Sequence, residues 1–150
     1  MRYTILFSIL LFVIFISCNK DKYSTTPSLK FEKVNTTDLH SGEVLIFTLS
    51  FTYKGALSGN VFVQELVPKC SGSEIDSINS PYDLPSFPAS QNQKGEITVT
   101  YGYNVTGYSP ILPPQCSPRN DTAIFRFVLK DNKNHVSDTV SSPQVIIYAQ

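Results

Sequence analysis

Tryptophan is absent from this sequence, and histidine occurs only twice, at His40 and His135. Two isolated imidazoles leave little for a histidine-built metal centre. Charge is sparse as well. Twelve Lys and Arg stand against twelve Asp and Glu, and no basic stripe forms. That argues against nucleic acid as a partner. No stretch after residue 28 carries a helical period. Long apolar runs are also missing, except for one at the start.

That run extends from Tyr3 to Ser17, 15 residues. A helix crossing a bilayer needs roughly 20. Arg2 precedes the run, and small Ser17 closes it before Cys18. A cation, a short apolar segment and a small residue are the parts of a secretory signal. A short signal anchor with an incidental cysteine is the alternative. The next residues, NKDKYSTTPS, are polar and contain Pro27. Residues 18–27 read as a flexible tether, reaching at most about 35 Å when extended. With residues 1–17 removed, 133 of the 150 remain. That is enough for one domain, residues 28–150. The loss of Arg2 leaves it near a charge of −1.

Period two dominates this remainder. In EVLIFTLSFTY, Leu45, Phe47, Leu49, Phe51 and Tyr53 share one face. In EITVTYGY the corresponding set is Ile97, Val99, Tyr101 and Tyr103. In TAIFRFVLK it is Phe125, Phe127 and Leu129. SLKFEKV, HVSDTV and QVIIYA are weaker strands. NVFVQELV is ambiguous, because apolar residues occupy both of its faces. Ten prolines, with Gly and Ser at the joints, supply turns. The expected fold is all-β, a sandwich of about seven antiparallel strands. The expected core is Leu45, Phe47, Leu49, Phe51, Ile97, Val99, Tyr101, Phe125, Phe127 and Leu129. Two segments, 71–90 and 105–120, are Pro- and Ser-rich and read as long irregular loops. Loops of that length are uncommon and often functional.

Phe15-Ile16-Ser17-Cys18 resembles a bacterial lipobox, with Phe15 in place of the usual leucine. The resemblance implies cleavage before Cys18 and attachment of acyl chains, palmitate among them, to its sulfur. Two or more chains anchor stably, so the partner implied first is a membrane. Lys20-Asp21 resembles the short lysine-acidic signals of surface lipoproteins in Bacteroidetes, which points to the cell envelope and the outer membrane. The lipobox with its tether, the strand and turn GEVLIFTLSFTYKGALSG, and the hairpin FVLKDNKNHVSDTV together resemble small Bacteroidetes lipoproteins with an immunoglobulin-like β-sandwich domain. The chain lacks the tryptophan and the inter-sheet cysteine spacing of antibody domains. Once lipid takes Cys18, Cys70 and Cys116 remain in an oxidising compartment. A disulfide between them follows, closing about 46 residues and contributing roughly 4 kcal/mol. Two free thiols are the alternative.

The candidates for chemistry are few. YKGALSG resembles a calcium-binding turn of cadherin-like repeats, but Tyr53 and Ala56 stand where acids belong. No metal or cofactor is expected. Asp38, His40 and Ser41 are the residue types of a hydrolase triad packed into one turn, where they cannot converge. Glu65, Glu74, Asp76 and Asp83 are the carboxylates near the long loops. They carry the alternative reading, a small envelope hydrolase. The primary reading is non-enzymatic: a lipid-anchored binding or structural module of the cell envelope, with a glycan or an envelope protein as partner. Tyr82, Phe87 and Tyr108 are the aromatics that could make the contact from Pro-rich loops. The bland role for them is to cap the sandwich. Three Asp-Ser/Thr-apolar triplets, at 76–78, 121–123 and 138–140, resemble the O-glycosylation pattern of Bacteroidetes.

Overall fold

The alternating segments become strands because each can bury one face and solvate the other. In the computed structural model, residues 23–68, 75–85, 92–116 and 118–150 are described. Among these residues, ten strands build two sheets. The first holds β1 (Ser28–Val34), β3 (Val44–Tyr53), β6 (Gln93–Gly102) and β7 (Ser109–Pro110), in that order. The second runs β2 (Asp38–Leu39), β10 (Val145–Ile147), β8 (Asp121–Asp131), β4 (Gly59–Pro68) and β5 (Ile75–Asp83), with β9 (Val140–Ser141) beside β8.

β3 and β6 pair over ten residues, from Val44 with Gly102 to Tyr53 with Gln93. β4 and β8 form the matching antiparallel pair of the other sheet. From β1 in the first sheet the chain crosses to the second at β2, which runs parallel to β10. This arrangement is immunoglobulin-like. The sheets are mixed, however. β2 with β10 and β6 with β7 are parallel pairs, where an antiparallel set of about seven strands was expected.

All ten residues expected in the core are buried. Phe47 sits 4.7 Å from Phe125 and 5.1 Å from Phe127, ring centre to ring centre. Phe31 lies 6.3 Å from both Phe47 and Phe127. Antibody domains join their sheets with a disulfide. Here tilted and edge-on phenylalanine contacts join β3 to β8.

One stretch departs from expectation. Residues 71–90 read as a loop, yet Ile75–Asp83 is a nine-residue strand. Its register with β4 runs unbroken from Pro68 with Ile75 to Asn60 with Asp83. The backbone, not the polar side chains of IDSINSPYD, makes this strand. It lies last in its sheet, where Pro81 can forgo a donated hydrogen bond.

Candidate functional site

The strands give the sandwich two distinct ends. One end gathers the turn after β3, the starts of β4 and β6, and the 131–135 hairpin. There Lys54 N–H donates to the Ser24 carbonyl at 2.8 Å, and Pro27 is buried. The polar stretch read as a tether up to residue 27 is therefore docked on the domain from Ser24 onward. Cys18 itself lies outside the described residues. The other end carries residues 40–43 and the long segment from Tyr103 to Asn120. Ten residues of β3 separate the two ends by about 30 Å.

At the far end the chain folds back on β6. Gly102 permits this, since a Cβ there would meet the Val105 carbonyl at 2.9 Å and the Tyr108 Cβ at 3.0 Å. The fold-back leaves a cleft of about 460 Å³ lined by Gly102, Asn104, Val105, Thr106, Ile111 and Pro113, among others. Tyr108 is 45% exposed beside it. Two carboxylates hold the underside of this segment. Glu65 accepts from Leu112 N–H at 3.0 and 3.2 Å, and Asp121 accepts from Gln115 N–H. Cys116 is among the described residues, and Cys70 lies outside them.

Glu65 is the unusual group. On β4 the inward positions are Val61, Val63, Glu65 and Val67, so a carboxyl occupies a place in a valine row. It is 2% exposed. Burial pushes its pKa up to about 7, against the lowering effect of the Leu112 N–H. The ambiguity of NVFVQELV hid this. Both faces of the segment looked apolar, so its phase could not be read.

A second polar node holds the near end. Asp131 is buried and accepts from Tyr53 Oη–H at 2.9 Å, from the backbone N–H of Lys133 and His135, and from His135 Nδ1–H at 2.8 Å. Burial alone would raise its pKa, but these donors outweigh it and hold the carboxyl below its usual range. Tyr53 and Asp131 are 78 residues apart in sequence, so no local signal could pair them. His135 is thereby fixed as the partner of a turn-capping aspartate.

The aromatics named from sequence separate. Tyr82 is half-buried on β5. Its hydroxyl donates to the Thr100 carbonyl at 2.6 Å, and its ring meets Tyr101 edge-on at 5.9 Å. It bridges the two sheets as a cap. Phe87 lies outside the described residues. Tyr108 alone of the three is known to present its ring to solvent.

The carboxylates do not assemble a hydrolytic pair among the described side chains. Asp83 pairs with Asn60, five residues along β4 from Glu65 and on the opposite face. That is about 16 Å, beyond the 6.5–9.5 Å or so of an inverting pair. The register puts Asp76 opposite Val67, diagonal to Glu65, but Glu65 is sealed under Leu112. Glu74 lies outside the described residues. In the Asp38–Ser41 turn, His40 stacks on Tyr148 at 4.1 Å, and the Ser41 hydroxyl accepts from Asn104. Among the described residues, no group of three or more His, Cys, Asp or Glu is placed to hold a metal ion.

No protein family and no curated protein matches the chain. Among solved structures it is similar to the sporulation control protein Spo0M from Bacillus subtilis. The TM-score is 0.45 at 9% identity, over 83% of this chain and 50% of that one. A mutant β-glucosidase from Listeria innocua in complex with laminaribiose gives 0.45 at 12%, over 87% and 17%. The same enzyme with isofagomine gives 0.38 at 11%, over 87% and 18%. The chain thus spans half or less of each of these proteins.

Proposed function

We propose that the chain is a non-enzymatic, lipid-anchored module of the cell envelope that offers its far loop end to a glycan or an envelope protein. The observation that carries this reading is the opposition of the two ends. Ser24, six residues after Cys18, is held at Lys54, and the exposed Tyr108 with its cleft lies a strand length away. A lipid on Cys18 would leave that cleft facing outward from the membrane. The outer membrane is the proposed location. A bridge from Cys70 to Cys116 would tie the β4–β5 turn to the loop segment, stiffening the surface before it binds. Of the three aromatics, Tyr108 is the proposed contact, and Tyr82 supports the sheets behind it.

The test is covalent capture on intact cells, followed by mass spectrometry, with wild type against Tyr108→Ala. Enrichment of one partner that falls at least several-fold in the variant, at unchanged melting temperature, is the expected result. Equal capture by both would overturn the placement of the contact. Labelling with a fatty-acid analogue should vanish in Cys18→Ala. Label that persists there would refute the anchor.

A further inference from the structure

Three features of Glu65 stand together. It occupies an inward position of β4 between Val63 and Val67. Its two oxygens share one donor, the Leu112 N–H. That donor belongs to the same segment that lines the far-end cleft through Ile111 and Pro113. A carboxylate in such a place is costly unless paired, and one backbone N–H is poor compensation.

Among the described residues the surroundings supply no cation. On β8 the residue opposite Glu65 is Phe125, flanked on the same face by Ala123 and Phe127, and Arg126 is on the exposed face. On β5 the opposite residue is Ile78, and Asp76 holds the diagonal register position. The inward residues of β6 and its continuation are Ile97, Val99, Tyr101 and Tyr103. Above lie Leu112 and, further along, Gln115 on Asp121. Every ionisable neighbour in this set is acidic or a tyrosine, and none of them favours charge on Glu65.

We propose that Glu65 is a proton-controlled latch on the loop end: protonated, it holds Leu112 against the core, and ionised, its buried charge drives the 111–116 segment open to water. Opening would hydrate the carboxylate and release the cleft wall made by Ile111 and Pro113. The direction follows from linkage. The closed state binds the proton more tightly than the open one, so acid favours closure and opening grows as pH rises from about 4.5 to about 7. This matters to the proposed contact surface only if that reading holds, but the latch is measured without any partner.

The experiment is amide hydrogen exchange on the full chain, corrected for intrinsic chemistry, at pH 5 and pH 8. Leu112 and Gln115 are the reporters, because Pro113 and Pro114 carry no amide hydrogen. Opening at Leu112 should rise by about 50- to 100-fold in wild type, and at each pH it should need far less free energy than opening at core amides such as Val99, which report global unfolding. In Glu65→Gln the opening should not change with pH. Opening that is pH-invariant in wild type, or equally pH-dependent in the variant, overturns the latch. If Glu65→Gln does not fold, the wild-type carboxyl carbon is titrated by NMR. A midpoint near 7, moving together with the Leu112 amide, supports the latch, and a midpoint below 5 overturns it.

Discussion

Phe127→Ala should be among the most damaging single substitutions in this domain. Its ring is fully buried on β8, between the sheets, and touches Phe47 at 5.1 Å and Phe31 at 6.3 Å. Truncating a buried Phe costs about 3–5 kcal/mol, from lost transfer energy and the cavity left behind. Two aromatic contacts, each contributing about 0.5–1.5 kcal/mol, place this site in the upper part of that range, near 4–5. For a domain of this size, 1 kcal/mol moves the melting temperature by about 3–4 °C, so a fall of about 12–20 °C is expected. The control is Phe62→Ala, on the outward face of β4 and 38% exposed, which should cost about 1 kcal/mol or less. Urea titration reads both, with unchanged slope and a shifted midpoint. A double-mutant cycle with Phe47→Ala should return a coupling of about 0.5–1.5 kcal/mol. If Phe127→Ala costs no more than Phe62→Ala, the phenylalanine cluster is not what joins the sheets.

Gly59→Ala should fail to fold or lose most of its stability. Its φ is +149°, and a Cβ would lie 2.0 Å from the Lys130 carbonyl oxygen, as circular dichroism and expression level would reveal. Asp131→Ala should cost about 1–3 kcal/mol by stranding the donors of Tyr53, Lys133 and His135. Because the Asp131 pKa is lowered on folding, its stabilisation is present above the ordinary carboxylate range and lost as pH falls below it. Acid titration should therefore show a loss in wild type that is smaller in Asp131→Asn. Glu65 acts in the opposite sense: raised on folding to about 7, it favours the fold most at low pH. Stability should fall by up to about 3 kcal/mol between pH 4.5 and 7. A Glu65→Gln thermal series that still shows this slope would refute the assignment.

The sequence alone determined which way the regular strands face. Leu45, Phe47, Leu49 and Phe51, and then Phe125, Phe127 and Leu129, reach the core because alternation along a strand is a local property of the backbone. It also determined the turns, where Gly and polar residues interrupt that alternation. Long-range pairing decided the rest. Ile75–Asp83 is a strand only because β4 offers it a ladder of hydrogen bonds, and ladder bonds do not depend on side-chain polarity. The parallel pairs β2–β10 and β6–β7 join segments whose relative direction no short window can encode. Tyr53 meets Asp131, and Tyr82 reaches Thr100, across the gap between the sheets. Glu65 shows the division most sharply. The residue is visible in the sequence as one acid in an apolar run. Whether it faces water or the core depends on the phase of β4, and that phase was set by β8 on one side and β5 on the other.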